Sequence, residues 1–236
     1  MNRNHEKILG VIGGMGPLAS QLFYGMVIDK TKAERDQEHL DMIILNHASM
    51  PDRTEAIMRN DKSQITELLE KDAEYLRAGG ADAIVITCNT AHRFIDGLKE
   101  REDMEVVDMT DTAAAYLSGL GVKRAGILAT DGTVKENIYQ GAFFKYGIEP
   151  VLPSEETQKK IMSIIYDGVK KGGPLKKEDM DPVLEEMREK GCEKVLLACT
   201  ELSCFRKMFG LPDICVDALE TLADKAITTC GKKLKG

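Results

Sequence analysis

Two stretches of this chain read alike: Ile84-Val85-Ile86-Thr87-Cys88-Asn89-Thr90-Ala91 and Lys194-Val195-Leu196-Leu197-Ala198-Cys199-Thr200-Glu201. Each is a short apolar run, rich in branched side chains, that ends in a cysteine and passes at once into polar residues. A run of that length and composition predicts a buried parallel strand. Asn89 or Thr90 in the first copy, and Thr200 in the second, are residue types that open helices. The spacing therefore sets each cysteine at the carboxyl end of a strand and over the start of a helix, where open α/β sheets bind ligands. A thiol there feels the positive end of the helix dipole, which favours thiolate.

Working outward, Lys7–Gly13 reads as a first strand, Gly13-Gly14-Met15-Gly16-Pro17 as a tight turn, and Leu18–Lys32 as an amphipathic helix. Residues 41–46 read as a second strand, His47–Asn60 as a polar loop, and Ser63–Ala78 as a helix closed by Gly79-Gly80. After the Cys88 strand a short strand is expected near Glu105–Asp108. The pattern then restarts. Lys123–Thr130 is a strand, and Asp131-Gly132-Thr133 is a turn in the place of the earlier glycine turn. Val134–Tyr146 reads as a helix, 149–152 as a strand, 155–170 and 177–190 as helices, 214–216 as a last strand and 217–230 as a last helix.

Gly13 precedes Cys88 by 75 residues and Thr130 precedes Cys199 by 69, so both halves run from strand and turn to strand and cysteine at similar separation. This supports an internal duplication. Alternating strands and helices imply parallel sheets with right-handed crossovers. The expected fold is α/β, with two pseudo-symmetric lobes, each a mainly parallel sheet flanked by helices, and the active site between them. Residues 1–108 with 217–236 form the first lobe in this reading, and 109–216 the second.

The 236 residues, 43% hydrophobic and 30% charged, belong to an ordinary globular chain with ample length for a core. A net charge of −7 argues against a nucleic-acid surface, and Lys232-Lys233-Leu234-Lys235 reads as a solvated terminus. Met1–Lys7 is polar and unlike a secretion signal, and no apolar stretch nears the roughly 20 residues that span a bilayer. The expected setting is cytoplasmic, with the six cysteines reduced.

Cys192, Cys204, Cys215 and Cys230 lack the strand-end setting and read as small buried hydrophobes. The spacings Cys88-x3-His92 and Cys199-x4-Cys204 do not match structural zinc sites, and His92 also reads as a core residue, so no metal is expected. Gly10, Gly13, Gly14 and Gly16 miss the dinucleotide register, no acidic residue takes the ribose-binding place after the second strand, and a P-loop is absent. No lysine stands in a distinctive setting for pyridoxal phosphate. Arg53, in a loop on the same sheet edge as Cys88, reads either as solvated or as a bidentate clamp on a carboxylate.

The chain resembles the cofactor-independent aspartate/glutamate racemase family, and within it the microbial aspartate racemases. The resemblance runs nearly end to end. It rests on Gly13-Gly14-Met15-Gly16-Pro17-Leu18-Ala19, Arg35-Asp36-Gln37-Glu38-His39, Pro51-Asp52-Arg53-Thr54, Cys88-Asn89-Thr90-Ala91-His92, Leu128-Ala129-Thr130 with Gly132-Thr133, Tyr166-Asp167-Gly168-Val169-Lys170 and Cys199-Thr200-Glu201. It implies that Cys88 and Cys199 are the two proton-transfer residues, and that Arg53 and Lys170 engage the side-chain carboxylate of aspartate or glutamate. Met15, Asn89, Thr90 and Thr200 would line the pocket. It also implies a homodimer and a reaction without a cofactor. The alternatives are racemisation of another amino acid or of a hydantoin, decarboxylation, or amino-acid binding without catalysis.

Overall fold

The computed structural model describes residues 7–236; the polar lead Met1–Lys7 lies outside them save its last residue. Eight short strands form two parallel four-stranded sheets. The first holds β1 (Leu9–Gly13), β2 (Met42–Asn46), β3 (Ala83–Ile86) and β4 (Glu105–Val106) in the order β2-β1-β3-β4. The second holds β5 (Arg124–Ala129), β6 (Glu149–Val151), β7 (Lys194–Ala198) and β8 (Cys215–Asp217) in the order β6-β5-β7-β8. The two sheets thus share one permutation, as an internal duplication requires. In each, the chain reverses its direction of spread between the two central strands, and the crevice beyond their carboxyl ends is open for a ligand. There lie the Gly13–Pro17 turn beside Cys88, and Thr130 beside Cys199.

The helices are α1 (Pro17–Lys30), α2 (Arg53–Met58), α3 (Ser63–Ala78), α4 (Asp96–Lys99), α5 (Met109–Gly119), α6 (Asp131–Lys135), α7 (Ile138–Lys145), α8 (Glu155–Ser163), α9 (Asp181–Glu189), α10 (Thr200–Phe209) and α11 (Ala218–Thr229). Several depart from the sequence reading for local reasons. The expected polar loop after β2 contains α2, opened by Asp52, whose carboxylate accepts from the Glu55 N–H at 2.9 Å. The expected 134–146 helix is two, because Asn137 turns left-handed (φ 53°) between α6 and α7. The expected second turn after Thr130 is already α6, with Thr130 as its cap. The 155–170 helix exists, but its last turns, Ile164–Lys170, are π-helical. The lysine-rich tail is largely solvent-exposed, as expected, and is tied to the end of α1: Lys32 donates to the Lys233 carbonyl at 2.8 Å and Lys235 to the Lys30 carbonyl at 2.7 Å.

Alternation along the strands decides which face meets which core. Leu9, Val11, Ala83 and Val85 from the first sheet share one cluster with Ala125, Ile127, Leu196 and Ala198 from the second. α1, α5, α7 and α11 supply Phe23, Val27, Ala113, Leu117, Phe143, Leu222 and Ala226 to it. Ile12, Ile84 and Ile86 face a separate core with α3, and Leu128, Val195 and Leu197 another with α8 and α9. The lobes therefore share a central core beneath their cleft.

Asp108 opens α5 after β4, and Asp217 opens α11 after β8, each accepting from backbone N–H groups of its helix. Asp217 is buried, and its Oδ1 accepts from Ser203 Oγ at 2.7 Å and from the Leu219 N–H at 2.9 Å. Its Oδ2 has no partner among the described residues. Burial pushes its carboxyl up to about 6 despite those two donors. A carboxyl whose folded value is raised favours the fold while protonated and loses that advantage as pH rises through about 6. Asp217→Asn removes the titration, so the stability of the variant relative to the parent should shift in the variant's favour by about 2 kcal/mol between roughly pH 4 and pH 7. Urea unfolding of both proteins across that range measures it, and a constant difference would refute it.

Candidate active site

The turn after β1 is shaped by its glycines. Gly14 has φ +88°, and a Cβ there would lie 2.5 Å from the His47 backbone. Its N–H is held by Ser20 Oγ at 2.8 Å, and Ser20 in turn meets Thr87 at 3.1 Å, just before Cys88. Turn and cysteine loop are thus fastened together. Arg53, read from sequence as a loop residue, is the first residue of α2 and only 7% exposed. Its Nη1 donates to the carbonyls of Pro51 (2.8 Å) and Met50 (3.2 Å), and its Nη2 to that of Met15 (3.1 Å). Its Nε is buried without a partner among the described residues. Burial opposes the guanidinium charge, but the facing Cys88, Asp52 and Glu201 favour it and hold Arg53 protonated.

Cys88 follows β3 and is buried. The element after it is a single 3-10 turn, Thr90–Phe94, rather than the expected α-helix. Asn89 does not cap that turn with its side chain; its Oδ1 accepts from the Tyr139 hydroxyl of α7, in the other half of the chain. Asn89 Nδ2 is buried without a partner among the described residues. Thr90 Oγ1 meets Thr130 Oγ1 at 3.0 Å and Thr133 Oγ1 at 2.9 Å, closing a triangle of hydroxyls across the lobes. The lobes approach so closely here that a Cβ on Gly132 would lie 3.0 Å from Thr54 Cα. His92 is buried and its pKa is lowered by that burial, so the ring is neutral. Its Nε2 accepts the Met109 N–H at 3.1 Å, which leaves the proton on Nδ1 to bond the Cys88 carbonyl at 2.9 Å. Both ring nitrogens are thus used to brace the cysteine loop against α5.

Cys199 occupies the N-cap position of α10, which the sequence reading gave to Thr200. Its Sγ donates to Glu201 Oε2 at 2.9 Å. Burial, and after it the charge of Glu201, hold the Cys199 thiol well above its ordinary pKa. The helix dipole, expected to favour thiolate, is outweighed, and Cys199 rests as the thiol. Lys170 ends the π-helical turn with its ammonium 4.1 Å from the Tyr166 ring centre and 3.5 Å from Asp52 Oδ2. Tyr166 donates to the same carboxylate at 3.2 Å. Burial opposes the charge on Lys170, but Glu201, Tyr166 and Asp52 hold it protonated.

The eight residues expected from sequence (Met15, Arg53, Cys88, Asn89, Thr90, Lys170, Cys199 and Thr200) all line one cleft between the lobes. Asp52, Thr54, Thr130, Tyr166 and Glu201 line it as well, without having been expected. The space within it open to the centre of a water molecule is about 10 Å³, enough for one water. A wider cleft of about 300 Å³ shares Met15, Asp52, Arg53, Lys170 and Glu201 with it and forms its mouth. The arrangement sets one thiol from each half of the chain, two cations and two unsatisfied N–H donors around a single small space. Those are the elements needed to hold a carboxylate and move a proton on either side of it.

The family model described as Asp/Glu/Hydantoin racemase matches residues 12–226. The chain is similar to the aspartate racemase of Picrophilus torridus, with 33% identity, 97% of this chain and 96% of that one covered, and a TM-score of 0.81. It is 22% identical over 226 residues to the broad specificity amino-acid racemase RacX of Bacillus subtilis (strain 168), covering 94% of this chain and 97% of that protein. A glutamate racemase structure from Bacillus anthracis, at 14% identity and a TM-score of 0.65 over 96% of this chain and 82% of that one, shares the fold. No helix among the described residues is long and apolar enough to cross a membrane.

Proposed function

The chain belongs to the Asp/Glu/Hydantoin racemase family, and from that premise we propose that it interconverts L- and D-aspartate by two-base proton transfer between Cys88 and Cys199. The observation that carries this reading is the convergence of both cysteines, Arg53 and Lys170 on one cleft between the halves. The aspartate racemase named above favours aspartate as substrate. RacX supports a second reading, in which several amino acids are accepted.

Racemisation removes the α-proton from one face of the substrate and returns one to the other. In the resting protein the Cys199 thiol donates to Glu201, so Cys88, beside the Arg53 cation, is the residue we assign as the base that acts first. Its sulfur takes the α-proton, the electron pair moves into the α-carboxylate, and the Cys199 thiol delivers a proton to the opposite face. The products are the mirror-image amino acid, a protonated Cys88 and a Cys199 thiolate. Turnover of the other enantiomer runs the same steps in reverse, and the two titrations belong to the pair. The charge that grows on the α-carboxylate meets Asn89 Nδ2, with Thr90 and Thr200 beside it. The distal carboxylate meets Lys170 and Arg53. No cofactor enters the scheme.

The test is direct. After exhaustive dialysis against chelator, the purified protein should convert either enantiomer of aspartate to an equal mixture, read by chiral chromatography. Racemisation of other amino acids but not aspartate would select the broader reading, and saturable binding without α-proton exchange would refute the enzyme. Recovery of activity only with added metal or pyridoxal phosphate would refute the cofactor-free scheme.

A further inference from the structure

Asn89 is an amide with one end satisfied and the other bare. It leaves the first lobe beside Cys88 and is 2% exposed. Its Oδ1 is held by the Tyr139 hydroxyl, while its Nδ2 has no partner among the described residues. A buried N–H donor left unpaired costs free energy, and at the wall of a ligand cleft it marks a place where a ligand acceptor is expected. What decides that Nδ2, and not Oδ1, is the free end is the nature of the partner. A phenolic hydroxyl donates more readily than it accepts, so it draws the carbonyl end of the amide toward itself.

Tyr139 is suited to that task. It lies on α7, is wholly buried in the core shared by the lobes, and packs edge-on to Phe143 with ring centres 6.2 Å apart. Burial raises its pKa well above the ordinary tyrosine range, so it keeps its proton and remains a donor. The bond also crosses between halves: the aim of Asn89 in the first is set by a hydroxyl from the second.

We propose that Tyr139 is a positioning residue, fixing the Asn89 carboxamide so that Nδ2 faces the α-carboxylate of the bound amino acid. This rests on the racemase reading for the identity of the ligand, not for the geometry. Without the hydroxyl the amide is free to rotate, and in half of its orientations it presents a carbonyl oxygen to a carboxylate.

A double-mutant cycle tests it, with Tyr139→Phe, Asn89→Ala and the pair together. Tyr139→Phe should lower kcat by about 10- to 100-fold, less than the 10²–10³ seen for outright loss of an oxyanion donor. It should weaken the calorimetric Kd for aspartate by about 3- to 10-fold. The double variant should be no worse than Asn89→Ala alone, because the hydroxyl acts only through the amide. Phe143→Leu disturbs the same packing and leaves the hydroxyl in place; it should lower Tm while kcat stays within about twofold of the parent. The inference is overturned if Tyr139→Phe retains parental kcat and Kd, if its effect multiplies with that of Asn89→Ala, or if Phe143→Leu reproduces it. Binding of aspartate without its turnover in the parent would refute the aspartate-racemase reading alone, since the cycle in Kd still decides the role of Tyr139.

Discussion

Replacing either Cys88 or Cys199 by alanine is expected to all but abolish racemisation, a loss of about 10²- to 10⁴-fold, while aspartate binding stays nearly intact. Each variant retains one sulfur, and with it the ability to exchange the α-proton of the single enantiomer that sulfur faces. In deuterated water, followed by NMR, the two variants should therefore exchange opposite enantiomers. The environments described above add an asymmetry. Cys88→Ala leaves only Cys199, whose thiol is held high by burial and by the Glu201 carboxylate. Its exchange should climb as pH rises above neutrality, as more of it becomes thiolate. Adding Glu201→Gln to that variant removes the second cause and should move the climb to lower pH. Racemisation near the parental rate in either alanine variant would sink the two-base scheme, and a climb unmoved by Glu201→Gln would sink the account of Cys199.

Lys170→Met should raise KM for aspartate by about 10- to 100-fold, corresponding to roughly 1.5–3 kcal/mol for loss of a charged hydrogen-bond partner. The reasoning turns on what Arg53 is already doing. Three of its five N–H groups are spent on the carbonyls of Met15, Met50 and Pro51, leaving the Nε–H and one N–H of Nη2 for a ligand. Lys170 is the cation with donors to spare, its neighbours being the Tyr166 ring and a 3.5 Å contact to Asp52. Arg53→Lys, which keeps the charge and loses the planar fork, should act differently. It should lower kcat as well as affinity, because the Met15 turn and the Cys88 loop lose their brace. Steady-state kinetics on both variants separate the two patterns, and a Lys170→Met enzyme with parental KM would remove Lys170 from substrate recognition.

Much of this was legible in the sequence because it is written locally. Strands announced themselves as apolar runs, and the turn glycines and the two cysteines marked the strand ends, so both sheets and the placing of Cys88 and Cys199 were legible locally, whereas Met15, Asn89, Thr90, Lys170 and Thr200 were expected in the cleft only from the family resemblance. What escaped is mostly long-range or a balance of opposing terms. Tyr139 carries no local sign of its bond to Asn89, fifty positions away. The pKa of Cys199 is a balance in which burial and the Glu201 carboxylate outweigh a dipole; all three can be named from the sequence, but not their relative weight. The helix α2 is only six residues long, too short for periodicity, though Asp52 with Glu55 three positions later was a capping signal that could have placed Arg53. Likewise Asp108 and Asp217, each closing a short strand and opening a helix, repeat between the halves and would have strengthened the duplication.

The core common to both sheets also bears on how such a chain could arise. A half-length ancestor with the topology of either lobe would leave the face carrying Leu9, Val11 and Val85, or its counterpart with Ile127 and Leu196, bare to water. Such a face is covered most simply by a second identical molecule, and a twofold pair of that kind carries two identical cysteine loops looking at each other. Fusion of the two genes keeps the facing thiols and releases the rest from identity. One loop now continues Asn89-Thr90 and the other Thr200-Glu201. That divergence is what a chiral amino acid demands: in the proposed scheme its hydrogen alternates between two mirror-related places, while its carboxylate must have a single home.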